Sequence, residues 1–216
     1  RVGVDRTVHF AADDPDALDR TSVWLDGRQE RGQADRFGLG AELRGTLAGR
    51  VGDPHHLGAG LSAWWRRPTG APTPFVRLRG YGFLYGDAAA RPPDERFEVW
   101  TELAAGLSGP LGPLHWDARL NGQWVGPGAL GFTGGGADLQ LALPLGRFTL
   151  SALAGAAARF GDSTDVALPR AGAGLGLTLG GGLSAQIDGL WQRAIPFETG
   201  ATVDRWLGGL SLACTW

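Results

Sequence analysis

The sequence predicts an all-β protein, a single transmembrane antiparallel up-and-down β-barrel of twelve strands, with ten as the alternative count. Three observations predict it. Segment after segment alternates apolar with polar or small residues, and nearly every charge inside a segment falls on one parity. That is how a pleated strand with two unlike faces reads. The connections between segments alternate between short and long, as they do when all turns of one kind gather at one end of a barrel. No run approaches about 18 uncharged apolar residues, so a membrane-spanning helix is excluded. A chain that crosses a bilayer without helices does so as a closed sheet.

Residues 1–37 are the weakest part of the pattern. Val2, Val4, Val8 and Phe10 share a parity that Arg6 interrupts, and Val23, Leu25 and Gly27 lie opposite Trp24, Asp26 and Arg28. They supply either two strands or a periplasmic N-terminal segment. From Gly38 the alternation is clean. Leu39, Ala41, Leu43 and Leu47 oppose Glu42, Arg44, Thr46 and Arg50, and Leu57, Ala59, Leu61, Ala63 and Trp65 oppose Ser62, Trp64 and Arg66. Val76 and Leu78 oppose Arg77, Arg79 and Tyr81, and Phe97 to Leu107 oppose Arg96, Glu98, Trp100 and Glu102. Leu114, Trp116, Ala118, Leu120 and Trp124 oppose His115, Asp117, Arg119, Asn121 and Gln123. The scheme continues with Leu139 to Leu143 against Asp138 and Gln140, Phe148 to Ala154 against Thr149, Ser151 and Arg159, Leu175 to Leu179 against Gly172, Gly174, Gly176 and Thr178, and Leu183, Ala185, Ile187 and Trp191 against Ser184, Gln186 and Asp188. Ala-rich 151–158 also reads as a helix. Gly134-Gly135-Gly136 and Gly180-Gly181-Gly182 read as turns, since neither has the strand–loop–helix setting of a phosphate loop. The last strand, Trp206 to Trp216, carries Trp206, Leu210, Leu212, Cys214 and Trp216 on one face. Tilted by about 40°, it rises roughly 25–28 Å, the height of a bilayer's apolar band.

This segment resembles the closing strand of bacterial outer-membrane β-barrels, whose terminal signal is alternating apolar residues ending in an aromatic, more often Phe than the Trp present here. The resemblance covers about residues 38–216 as architecture and reaches no subfamily. It implies a bacterial outer-membrane location. The absence of Met and the opening on Arg1 add the expectation of a secretory signal peptide already removed.

Composition agrees. Charged residues are 19%, below the usual quarter of a soluble domain, while 37 Gly and 9 Trp suit tight turns and interfacial aromatics. All 20 basic residues are Arg, which reflects genomic base composition. A net charge of −2 makes no case for nucleic acid, and a single Cys cannot form an internal disulfide.

Alternation alone does not say which face is inside, because a soluble barrel or sandwich alternates equally with apolar residues inward. Three features favour the inverted arrangement. Trp116 and Trp124, like Trp206 and Trp216, mark both ends of one apolar face, as interface girdles do; Trp191 belongs to the same set. The polar face is rich in Gly and Ser, which leave room in a narrow lumen. Linkers 12–20, 86–95, 126–135, 161–168 and 194–202 are longer than 109–113, 144–147 and 180–182, whereas 51–56 and 67–74 fit this asymmetry less well.

The inward charges sort by position along the strands. Arg50, Arg96, Arg159, Arg170 and Arg205 lie near the external ends, with Glu98 and Asp138 among them; Glu42, Arg44, Glu102, Asp117, Arg119 and Asp188 lie deeper. One reading is an anion-favouring mouth above a mixed-charge constriction. The other is a plug of ion pairs that holds the barrel rigid. Ten strands favour the plug, and twelve admit a small water-filled passage. Function is therefore expected to be either a structural or anchoring subunit of an envelope complex or a narrow passive channel. Outer-membrane lipid is the expected partner, other envelope proteins are a further option, and no cofactor, metal or catalytic residue is assigned.

The alternatives are an outer-leaflet lipid-modifying enzyme and a soluble β-barrel binding protein. Ser108, His115 and Asp117 share the lumen face but sit near the periplasmic end, whereas the outer-membrane phospholipase and lipid A deacylase families carry Ser and His on the lipid-facing side. His55-His56 lacks a third metal ligand, and Cys214 is a small apolar residue of the lipid-facing parity.

Overall fold

The computed structural model describes residues 2–9, 20–32, 34–48, 56–68, 72–85, 97–126, 131–161, 165–198 and 200–215. The strands are β1 (Val2–His9), β2 (Arg20–Arg31), β3 (Arg36–Ala48), β4 (His56–Arg66), β5 (Thr73–Tyr85), β6 (Phe97–Leu111), β7 (Leu114–Gly126), β8 (Phe132–Leu145), β9 (Phe148–Gly161), β10 (Val166–Gly180), β11 (Leu183–Pro196) and β12 (Val203–Cys214). Each pairs antiparallel with its neighbours in sequence, and β1 pairs with β12 from Val2↔Cys214 to His9↔Leu207, which closes the barrel. The count is twelve, and residues 1–37 contribute β1 and β2 rather than a separate N-terminal segment.

Following the strand partners once round the barrel displaces the path by roughly 16 residues, which for twelve strands sets a tilt of about 45° and a radius of roughly 12 Å. The connections 32–35, 67–72, 112–113, 146–147 and 181–182 gather at the end where β1 begins and β12 finishes. Those at 10–19, 49–55, 86–96, 127–131, 162–165 and 197–202 gather at the other. Thus 49–55 lies at the end of the longer connections, while 67–72, at the other end, is longer than 127–131 and 162–165, so the asymmetry holds for each end as a whole and not for every connection. The two-residue turns open on Gly112, Gly146 and Gly181 at φ of 60°, 65° and 60°, the left-handed conformation that tight hairpin turns demand of their first residue.

The burial pattern decides which face is inside. Leu39, Leu61 and Leu120 are 69%, 72% and 67% exposed, while Glu98, Glu102 and Asp138, on the opposite parity, are buried. A Leu left in water forgoes about 1.5–3 kcal/mol relative to an apolar surrounding. A continuous outward belt of such residues requires lipid around it, which excludes the soluble reading.

Two sequence expectations change. Gly134-Gly135-Gly136 is not a turn but part of β8, paired with Ala157, Ala158 and Arg159 of β9. A Cβ on Gly134 would stand 2.6 Å from the carbonyl oxygen of Ala158, so the triplet serves a close approach of two strands. Ala-rich 151–158 is strand, because each of its residues has a register partner on both sides.

Candidate functional site

Inside the barrel the two sides differ. On β9 to β12 the inward positions include Ser151, Gly155, Ala157, Gly172, Gly174, Gly176, Gly209 and Ser211, and Gln186 and Asp188 on that side are exposed. On β2 to β7 they include Glu30, Arg36, Trp64, Arg66, Arg77, Arg79, Tyr81 and Arg119. The side of β9 to β12 is richer in small residues, although Arg159, Arg170, Asp188 and Arg205 also face inward there, and the side of β2 to β7 is bulkier and more densely charged.

The lumen lining is tied together by ion pairs in three groups, two on the bulkier side and a third that links it to β8 and β10. At the short-turn end Glu30 accepts Arg66 Nε and Nη2 at 2.8 and 2.7 Å, Trp64 Nε1 at 3.1 Å and Arg36 Nη1 at 3.4 Å. The Trp64 ring lies where a side chain on Gly38 would stand. Above this, Tyr81 Oη donates to Glu42 at 2.7 Å, Arg44 Nε donates to the same carboxylate at 3.2 Å, and Arg77 pairs with Glu102 at 2.9 Å.

The third group centres on Asp138, whose side chain is only 2% exposed. It accepts Arg119 Nε and Asn121 Nδ2, both at 3.2 Å, and Arg170 Nε and Nη2 at 2.9 and 2.8 Å. Arg119 and Asp138 are direct partners across β7 and β8, but Arg170 is two strands from Asp138, with Gly155 between them. A Cβ on Gly155 would strike the Asp138 carboxylate. The missing side chain at position 155 therefore lets the carboxylate lie across β9 and reach Arg170.

Residues expected at a mouth and at a deeper constriction thus belong to one network, because Asp138 bonds Arg170 of the first set and Arg119 of the second. Strand tilt is the reason: neighbouring positions on adjacent strands climb the barrel obliquely. Arg159 lies over the Phe132 ring at 4.5 Å from its centroid, and Arg205 and Arg170 are the charges that act on it. Arg50 and Arg96 lie outside the described residues. Glu42, Arg44 and Glu102 are in the paired groups above, and Asp188 lies across Gly209, its Oδ2 2.6 Å from where a Cβ there would stand. Asp117 faces Ser108 across β6 and β7, yet no hydrogen bond joins Ser108, His115 and Asp117 among the described residues. No group of His, Cys, Asp and Glu that could hold a metal occurs among them.

On the outer face Trp116 lies near the short-turn end, with Trp124 and the Trp191–Trp206 pair, 6.5 Å between centroids, near the other; Trp216 lies outside the described residues. Two features here were not anticipated. Arg193 and Asp204 face outward and pair at 2.7 Å beside Trp191, whose Nε1 donates to Asp204 at 3.0 Å. At the short-turn end Trp65 Nε1 donates to Asp35 at 3.2 Å, and the hydrogen-bonded Arg67 guanidinium holds that carboxyl below its usual range. Inside, Glu30 and Trp64 also went unread as site residues. Their signal was the Trp64-Trp65 pair, since adjacent residues of a strand leave on opposite faces and one indole must point inward.

Solved structures share this architecture. The chain superposes on the NanC porin with a TM-score of 0.63 and 7% identity, over 100% of both chains. It superposes on the KdgM porin in complex with disordered oligogalacturonate with a TM-score of 0.60 and 8% identity, over 99% of both. For LpxR from Salmonella typhimurium the values are 0.56 and 12%, over 97% of this chain and 98% of that one. The fold is therefore that of the outer-membrane β-barrels. No family model matches the sequence and no curated protein matches it, so likeness extends to the fold and no further.

Proposed function

We propose that this chain is an integral barrel of the bacterial outer membrane, exported with a signal peptide that is then removed, and that it forms a narrow passive channel favouring small anions. The observation that carries this reading is the inequality of the two lumen walls. A radius of roughly 12 Å leaves space that the many inward Gly, Ala and Ser of β9 to β12 do not fill, so that side supports a water-filled path beside the more densely charged one. Arginine is the commonest charge facing the lumen, and among the described residues Arg79 on β5 and Arg159 on β9 take part in no ion pair. Rings and columns of Arg bias a pore toward anions. The likeness to a porin whose structure contains oligogalacturonate, an acidic sugar chain, is compatible with this reading but is too distant to carry it.

The short-turn end, with β1's start and β12's finish, is placed in the periplasm, as the short turns of such barrels are. Reconstitution in planar bilayers tests the function directly. Steady current with a reversal potential favouring anions in a salt gradient is expected. Persistent silence from correctly folded protein would remove the channel and favour the anchoring role, for which the Glu30, Glu102 and Asp138 networks supply the rigidity. An enzymatic role on outer-leaflet lipid draws no support from the described outward face, which carries no Ser–His pair.

A further inference from the structure

Asp138 already receives four hydrogen bonds from Arg119, Asn121 and Arg170. A carboxylate offers about four lone-pair sites, so Asp138 has no capacity left for another cation. Arg170 and Arg205, which share one register row across β10 to β12, are the charges whose field acts on Arg159. Its guanidinium is in no ion pair among the described residues and rests on Phe132. A half-buried cation whose charged neighbours are themselves cations is a standing demand for an anion.

One rung further into the lumen than Arg170 and Arg205, the inward positions change character. Leu153, Gly172, Leu190 and Leu207 are successive register partners on β9 to β12, and the three leucines are half-buried. Leu190 reaches over Gly172, its Cδ1 3.2 Å from where a Cβ would stand, so the leucines form a shelf. On a wall whose other inward positions are mainly small or polar, a lumen-facing apolar shelf gains stability only when something apolar covers it. The rung after that presents Asp188 beside Gly174 and Gly209, an acid that repels a second negative group.

We propose that this part of the lumen is a saturable binding site for a small organic monoanion, with its carboxylate held by Arg159, Arg170 and Arg205 and its apolar body on Leu190 and Leu207. On β10 and β12, Arg170 and Arg205 stand two residues from Gly172 and Leu207 of the leucine rung, about 6.6 Å, which suits an aryl or short-chain carboxylate, whereas Arg159 stands six residues beyond Leu153 on β9. The inference deepens the channel reading, since it requires the lumen to be reached from water, but it does not require the barrel to conduct.

The test is calorimetric titration of the whole protein in lipid nanodiscs at low salt, with benzoate, acetate and inorganic phosphate as probes and empty nanodiscs as the blank. Benzoate is expected to bind saturably and about tenfold more tightly than acetate, a difference of roughly 1.4 kcal/mol, with phosphate weaker than benzoate. Arg159→Gln should weaken benzoate and acetate together. The double change Leu190→Ser with Leu207→Ser should abolish the advantage of benzoate and leave acetate unchanged. Equal binding of benzoate and acetate by the unmodified protein overturns the proposal without any variant having to fold, as does benzoate that fails to saturate. Benzoate binding in a barrel silent in bilayers would defeat the channel reading alone. Anion current that benzoate neither binds nor blocks would defeat this site alone.

Discussion

Asp138 is a buried carboxylate with three partners, and breaking such a group leaves charges that water cannot reach. Asp138→Asn keeps the shape but leaves Arg119 and Arg170 facing each other without a counter-charge, at an expected cost of about 3–5 kcal/mol, read from denaturant unfolding in lipid. Gly155→Ala should cost about 1–3 kcal/mol, because the new methyl displaces the carboxylate from Arg170. In the background of Asp138→Ala that cost should fall to the part owed to the Ala137 carbonyl oxygen, 2.7 Å from the new methyl; fully additive losses would show that the two residues do not interact. At this scale the sequence was partly legible. It marked Asp138, Arg119 and Arg170 as inward charges, because parity alone reports that. It did not show that they meet, since Asp138 and Arg170 are 32 residues apart and their contact depends on strand tilt and on the absence of a side chain at 155.

Each strand is a boundary between lipid and water, so two neighbours in sequence should answer the same substitution differently. On β8, Leu139 is 43% exposed on the outer face and Gln140 faces the lumen. Leu139→Arg should cost roughly 2–4 kcal/mol if it lies near mid-bilayer, and Gln140→Arg far less; equal costs would contradict the assignment of faces. Strands were the most readable part of the sequence, because a one-residue slip would turn every Leu inward and the alternation admits only one phase. Their ends were less readable. Gly134 to Gly136 looks like a turn by composition, and only the proximity of β9 makes glycine the residue a strand needs there.

The whole molecule has a direction that its connections announce. In a background with Cys214 replaced, cysteines at Gly131 and Asp165 should react with an impermeant reagent on intact cells, and one at Gly181 should not; the reverse pattern would invert the orientation. Closure itself was legible only as an even strand count. The tilt was not, because register across neighbouring strands is set by pairing that no local pattern reports. That gap is why the lumen charges resolved into an upper and a lower set on paper but into one network in space.

The tilt also sets how a solute would meet the charged wall. A single line of register partners runs from Arg36 through Arg66, Phe75, Gly106, Arg119, Asp138, Gly155, Arg170 and Gln192 to Arg205. It starts at the short-turn end of β3 and finishes near the long-loop end of β12. These guanidinium groups therefore stand on a spiral stair rather than in a ring. On the proposed channel reading, an anion would meet these groups in turn around the circumference, and no single cross-section of the barrel would act as its gate.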